Sequence, residues 1–379
     1  MSDLLDLPST REEAWRWADL PTLVAATQLP KTAADGADHF LDLPGARLVF
    51  VDGVLDDARS DLQRVTIAQV DGGTHVLGRK AGGKGWSLRL DADAAVDPVQ
   101  VVHVATGGTN QLPCEIVLAN DAVAQVVETY VGSGWSNRVA RITLGKAARL
   151  MRAVRILQDD GFVSLREEAE LGEGASLVAT FLALGGAGAR IDGAVSVNGD
   201  SGYAELGGAL LTRGSENKEC AVRLRHDALN GQSHQLWRAV AADKSAVSLA
   251  AAVEVARHAQ KTDGEQSLRG LLLQRTATVN LKPELEIFAD DVKCAHGATV
   301  GELDAKALFY MQSRGIPKAK AQALLTRAFV ADALDRIGDE TVRAAFVADA
   351  DAWLELALSH REREGARSAQ PSGKGEGAL

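Results

Sequence analysis

A thiol and an imidazole two residues apart, Cys294 and His296, stand in the run Lys282-Pro-Glu-Leu-Glu-Ile-Phe-Ala-Asp-Asp-Val-Lys-Cys-Ala-His-Gly-Ala-Thr-Val-Gly301. In an extended chain side chains alternate, so Val292, Cys294 and His296 share one face, with i and i+2 positions about 6.5 Å apart. A thiolate and a neutral imidazole suit iron, zinc or copper. Two ligands leave such a site incomplete, so a partner chain or a sulfide must finish it. The alternative is a buried Cys acting as a small hydrophobe beside a surface His at a strand-to-helix junction, and spacing alone favours that alternative.

Other chemistry-bearing groups carry weaker signals. Asp290 and Asp291 are adjacent, so in a strand they point to opposite faces and end the strand rather than flank a substrate. Gly78-Arg-Lys-Ala-Gly-Gly-Lys84 has the glycine and lysine spacing of a phosphate loop. Gly85 stands where a hydroxyl should hold magnesium, and Trp86-Ser-Leu-Arg-Leu90 alternates like a strand, so the segment reads as a hairpin turn. Gly185-Gly-Ala-Gly188 lacks the rest of a dinucleotide fingerprint, and Ser201 has no helix behind it to make a nucleophile elbow. His103, inside Val101-Val-His-Val104, reads as a core histidine. His226 and His234 flank a polar loop and could meet at a metal only if that loop folds back. Trp15, Trp17 and Trp353 read as packing anchors.

The chain that must position these groups has 379 residues, enough for two or three domains or for one elongated repeat-like body. Its hydrophobic share of 46% and charged share of 24% describe a globular protein, and no apolar run reaches the roughly 18 residues of a membrane span. A net charge of -10 disfavours a nucleic-acid partner. Cys114, Cys220 and Cys294 are too few and too scattered for a disulfide framework or a self-contained zinc site. The acidic start Met1-Ser-Asp-Leu-Leu-Asp6 lacks the features of a secretory signal, so a cytoplasmic location and reduced thiols are expected. An iron-sulfur cluster takes about four thiolates, so any handling of iron or sulfur here has to be shared with another chain.

Ser9-Thr-Arg-Glu-Glu predicts a capped helix over residues 10 to 18, broken by Pro21 and Pro30. From about residue 46 to 292 short alternating runs dominate, among them Leu48–Gly53, Ala122–Tyr130, Ser176–Phe181, Tyr203–Leu206 and Leu285–Phe288. So many short strands with little helix between them predict a mainly β fold: a sandwich, a barrel or a solenoid. No strict short repeat chooses among them. After Gly301 the period lengthens, predicting helices from Leu303, from Ala319 to Ile337 and from Thr341 to about Leu358. Residues 361–379 read as a disordered tail.

The run ending at Gly301 resembles the C-terminal core of the SufB/SufD proteins, subunits of the SUF iron-sulfur cluster assembly complex, and Cys294-Ala-His-Gly-Ala-Thr299 has the form of the SufD branch. The resemblance is dense from Leu224 to Leu334. It includes Gly231-Gln-Ser-His234, Ala259-Gln-Lys-Thr-Asp-Gly264, Leu271-Leu-Leu273 and Leu308-Phe-Tyr-Met-Gln-Ser-Arg-Gly-Ile316, with a short Arg-Glu-x-x-Trp match at the start. Gly297, where SufB-like chains tend to carry Glu, the modest length and the three cysteines favour the SufD branch. Ala295 and Arg269-Gly270 depart from many relatives.

This resemblance implies a right-handed parallel β-helix over residues 46–302, between an N-terminal helical region (1–45) and a C-terminal helical domain (303–360). It implies a non-catalytic subunit that pairs with SufB as a heterodimer and docks the SufC ATPase through Leu308, Phe309, Tyr310, Arg314, Leu324, Leu325 and Phe329. Those helical residues could equally pack onto their own β body. His296 is then the ligand for iron or a nascent cluster at the SufB interface, with the part of Cys294 left open. The implied cofactor is a transient iron or cluster shared with SufB, none held alone; a reduced flavin in the assembled complex and homodimers of the isolated chain are left open. The competing expectation is a stand-alone β-solenoid enzyme acting on polysaccharide, with a carboxylate-lined groove.

Overall fold

The computed structural model describes residues 6–33 and 39–368. Seventeen strands follow in chain order among them: β1 (Arg47–Val51), β2 (Val54–Leu55), β3 (Val65–Val70), β4 (Gly83–Leu90), β5 (Val99–Leu118), β6 (Val123–Leu144), β7 (Arg149–Ile156), β8 (Asp160–Leu171), β9 (Ser176–Ala183), β10 (Gly188–Val197), β11 (Tyr203–Thr212), β12 (Asn217–His226), β13 (Gln232–Ala241), β14 (Ala246–Val255), β15 (Asp263–Leu272), β16 (Thr278–Ile287) and β17 (Lys293–Glu302). The chain alternates between two parallel ladders. β7, β9, β11, β13, β15 and β17 continue the first half of β6, while β8, β10, β12, β14 and β16 continue its second half. The result is a parallel β-solenoid with helices near both termini of the chain, as the family resemblance implied.

One inward-facing column shows the coil period. It runs from Val101 through Glu128, Val154, Phe181, Gly208, Trp237 and Leu268 to Ala298, a step of 26 to 31 residues. One corner of each coil is the same turn. Asp121, Ala147, Gly174, Ser201, Asn230 and Lys261 all have φ between 53° and 62°, and each donates its N–H to a carbonyl of the next coil's corner. Only Gly174 and Asn230 are residue types that favour this left-handed conformation most readily, so the repeat lies in the backbone more than in the letters.

Between the ladders lies a continuous apolar core that includes Trp86, Ile116, Val154, Phe181, Leu206, Trp237 and Leu268. A charged cluster interrupts it. Arg152 bridges Glu128 at 2.6 Å and Glu167 at 2.9 Å, and all three are at most 5% exposed. His103 donates Nε2–H to Glu128 at 2.8 Å, accepts at Nδ1 from Arg138, and stacks on Tyr130 at 4.4 Å, whose hydroxyl also donates to Glu128. Burial lowers the His103 pKa to about 4, so the imidazole is neutral; this is the core histidine expected from its apolar neighbours.

The start of the chain differs from its sequence reading. The Ser9 amide does donate to the Glu12 carboxylate and the Arg11 amide to Ser9 Oγ around the turn, but the segment forms only a 3-10 turn, Glu13–Trp15. The α-helix is α1 (Leu20–Ala26), capped by Asp19, with Pro21 in its first turn where no amide is missed. The 78–84 segment also differs. β3 and β4 are antiparallel as a hairpin requires, yet α2 (Val76–Ala81) rather than a tight turn joins them, and helix precedes strand, the reverse of a phosphate loop.

Three helices follow the last strand: α3 (Ala305–Ser313), α4 (Lys318–Leu334) and α5 (Glu340–Ser368). Helix α5 continues through residue 368, where the sequence reading placed a disordered tail from 361; residues 369–379 lie outside the described residues. Val330, Leu334, Ile337, Val342, Phe346 and Trp353 bury against Leu182, Leu211, Val240 and Leu271 on the outside of the solenoid. Ion pairs Arg155–Asp349 at 2.9 Å, Arg336–Glu205 at 3.3 Å and Arg238–Asp332 tie the helices to the strands. No helix among the described residues is long and apolar enough to cross a membrane.

Candidate functional site at the open end of the solenoid

β17 pairs with β15 over ten residues in register, Lys293 on Asp263 through Glu302 on Leu272, and no further strand among the described residues covers it. β16 pairs with β14 alone in the other ladder. The last coil therefore exposes the inner face that every earlier coil buries: Val279, Leu281 and Leu285 are half-buried, and Val300 is 45% exposed. Ile287 and Phe288 at the end of β16 are exposed too.

Cys294 and His296 lie on this inward-facing side, because they pair with the inward residues Gly264 and Gln266. The alternation that placed them together in the sequence is retained. Cys294 is half-buried. It packs with Val253, Val255, Leu285 and Val292, and its Sγ lies 3.4 Å from where a Cβ on Gly264 would stand. Burial pushes its thiol up, against a hydrogen bond from the Gly264 backbone, so the neutral thiol is favoured. His296 is exposed on the same face. No group of three or more His, Cys, Asp or Glu side chains that could hold a metal occurs among the described residues, and Cys294 and His296 alone do not make a complete metal site.

The other candidates separate. His226 is buried, hydrogen-bonded through Nε2 to Ser233 Oγ at 2.9 Å and lowered by burial to a pKa of about 4, whereas His234 is half-exposed beside Glu265 and Tyr203. The loop does not bring them together, because they sit on opposite faces of consecutive ladders. Asp290 and Asp291 lie in the bend between β16 and β17, and Asp291 is paired with Lys261. Cys114 and Cys220 are buried in the core with thiols raised by burial.

Of the residues expected to dock a partner, Phe309 is 73% exposed and Tyr310 60%, with the Arg314 guanidinium 5.3 Å from the Tyr310 ring. Leu324 is exposed, and Leu308 and Leu325 are half-buried. Phe329 packs instead on the apolar cluster under the helices and on Arg238. Phe309 and Tyr310 of α3 thus face solvent, while Phe329 holds α4 to the solenoid.

A cleft of about 440 Å³ lies between the N-terminal turn and the outer face of β10, β12, β14 and β16. Trp15 stacks there against Arg190 at 3.9 Å and His75 at 5.8 Å. Its buried carboxylates are taken: Asp192 pairs with Arg166 and Arg190, each at 2.6 Å, and Glu219 with Arg190 at 2.8 Å. Burial pushes the Asp192 carboxyl up, but the bond from His75 and the two guanidinium groups hold it well below the usual range, so it is no general acid. A paired acid and base of the glycosidase type is not built here.

Residues 102–329 match the family described as "SUF system FeS cluster assembly, SufBD core domain". The chain is 28% identical to the Escherichia coli (strain K12) iron-sulfur cluster assembly protein SufD, over 90% of this chain and 88% of that one. It is 27% identical to a SufBD family protein of Mycobacterium bovis over 94% of this chain and 92% of the relative, and 25% identical to one from Synechocystis over 88% and 84%. With more than half of its length inside the family match and a solenoid ending in the Cys294–His296 coil, the chain belongs to the SufBD family of the SUF iron-sulfur cluster assembly system.

Proposed function

We propose that this chain is the SufD-like, non-catalytic subunit of a SUF assembly complex, pairing with a SufB subunit through the open coil formed by β16 and β17. The observation that carries the reading is that coil itself. A solenoid end with bare strand edges and exposed apolar side chains is an association surface unless capped, and here the thiol and imidazole lie inside it. A second solenoid meeting this end would bring further thiolates to Cys294 and His296. Iron or a nascent cluster is the cargo held across that contact, with His296 the contribution of this chain. In the absence of the paralogue, a second copy of the same chain fits the same edge.

The exposed face formed by Phe309 and Tyr310 of α3 and Leu324 of α4 is the surface offered to the SufC ATPase. A reduced flavin would be a ligand of the assembled complex. The cytoplasm is the compartment in which these thiols stay reduced.

The test is native mass spectrometry of the chain co-expressed with SufB and SufC partners, wild type beside His296→Ala, with cluster reconstitution on the same samples. One SufB and one copy of this chain carrying two ATPases, intact in both but reconstituting clusters fully only in wild type, supports the reading. A monomer that ignores both partners removes it.

A further inference from the structure

The inward column that ends at His296 is polar for three consecutive coils: Gln235 pairs with Gln266, and Gln266 with His296. Both glutamines are 1% exposed. Each carboxamide crosses the bore to the opposite ladder, Gln235 Nε2 donating to the Ala252 carbonyl at 3.1 Å and Gln266 Nε2 to the Ala251 carbonyl at 2.9 Å. These bonds fix which end of each amide is oxygen, because a flipped group would set oxygen against oxygen. Both Oε1 atoms are consequently buried with no protein hydrogen-bond partner among the described residues. An acceptor in that state is costly, and a column of them leading to a functional imidazole asks for a donor.

The residue paired with Gln266 on the open side is His296, one strand spacing away, about 4.8 Å. We infer that Gln266 is a positioning residue for His296, its Oε1 accepting one imidazole N–H from inside the bore. A neutral imidazole has one N–H and one lone pair. An acceptor behind the ring places the proton there and turns the other nitrogen outward as the metal donor. An amide oxygen does this without adding a charge beside the cargo, as a carboxylate would. His296 is exposed, so its ring can rotate into the bond. Gln235, one coil deeper, is beyond the ring's reach and extends the column without touching the ligand.

This inference rests on His296 being a ligand, and the two can be told apart. The experiment uses the full chain with 15N-labelled histidine at pH 8. It reads the imidazole nitrogen shifts of His296, assigned with His296→Ala, and then a Zn2+ titration on the same signal. Wild type should show one dominant tautomer. Gln266→Met should even out the tautomers and weaken Zn2+ binding about tenfold, Gln235→Met should do neither, and Gln266→Glu should restore the single tautomer. Wild-type shifts and Zn2+ affinity in Gln266→Met would overturn the assignment of Gln266 while leaving His296 as ligand. A wild-type His296 signal that Zn2+ does not move would overturn the ligand reading, and the role given to Gln266 with it. Should Gln266→Met not fold, Gln266→Leu takes its place, with Gln235→Leu as control.

Discussion

Phe181 and Trp237 stack at 5.9 Å and 20° although a whole coil separates their strands. The residue between them in register is Gly208, which has no side chain to stand between the two rings. Its φ of 152° lies on the positive side, and a Cβ there would stand 1.9 Å from the Phe181 carbonyl oxygen. Gly208→Ala should therefore destabilise the chain by about 3 kcal/mol or more, through backbone displacement and a lost ring contact. Urea denaturation checks it, and a loss under 1 kcal/mol would show the coil can shift freely.

The charged cluster in the core makes a sharper demand on charge than on volume. Arg152→Met leaves Glu128 and Glu167 buried without their cation and should cost about 3–5 kcal/mol, whereas the triple change to Arg152→Met, Glu128→Gln and Glu167→Gln should recover much of that loss. Equal melting of the single and triple variants would refute the charge account.

Acid should weaken the fold in a defined window. His103 and His226 titrate near 4 in the folded chain against an ordinary value of 6.5, since burial disfavours their charged forms. The unfolded chain then binds more protons between those limits, so stability is complete above about pH 6.5 and is lost as pH falls toward 4. Each imidazole should account for about 2 kcal/mol between pH 6.5 and 5. Urea midpoints at pH 7.5 and 5 measure the drop, which His103→Gln should shrink if its variant folds; an unchanged drop would place it elsewhere.

Binding of the ATPase should depend on the α3 tip and not on the buried face of α4. Phe309→Ser with Tyr310→Ser should weaken association ten- to hundredfold and leave melting within about 0.5 kcal/mol of wild type. Phe329→Ala should chiefly lower stability, by about 2–4 kcal/mol for a partly buried aromatic. Calorimetric titration with purified SufC reads the first, thermal melting the second, and the opposite pattern would reverse the assignment.

The terminal coil was legible in the sequence because strand alternation alone puts Cys294 and His296 on one face. The family features around them named the solenoid, which the strand runs by themselves could not, since the coil repeat of 26 to 31 residues is carried by left-handed corners at Asp121, Ala147 and Lys261 as well as at Gly174. The two short helices were misplaced for different reasons. At α1 the cap signal of Ser9 competed with a better one at Asp19, and at α2 Gly78, the cations Arg79 and Lys80 and the following Gly82 and Gly83 read more like a turn than a helix. Glu128, Arg152, Gln235 and Gln266 gave no signal at all, because a polar residue inside a β run looks like an outward one until the register is known.

Only Leu303 separates the end of β17 from Asp304, whose carboxylate caps α3 by accepting from the Lys306 amide at 2.8 Å. The helical tip and the His296 strand are thus mechanically one piece. A load on α3 directed along β17 must shear ten residue pairings at once, whereas a load directed away from the sheet peels them singly, beginning at Glu302 and reaching His296 only after six have opened. The strand is stiff in one direction and compliant in another, so the direction of a load on α3, more than its size, decides whether the imidazole moves.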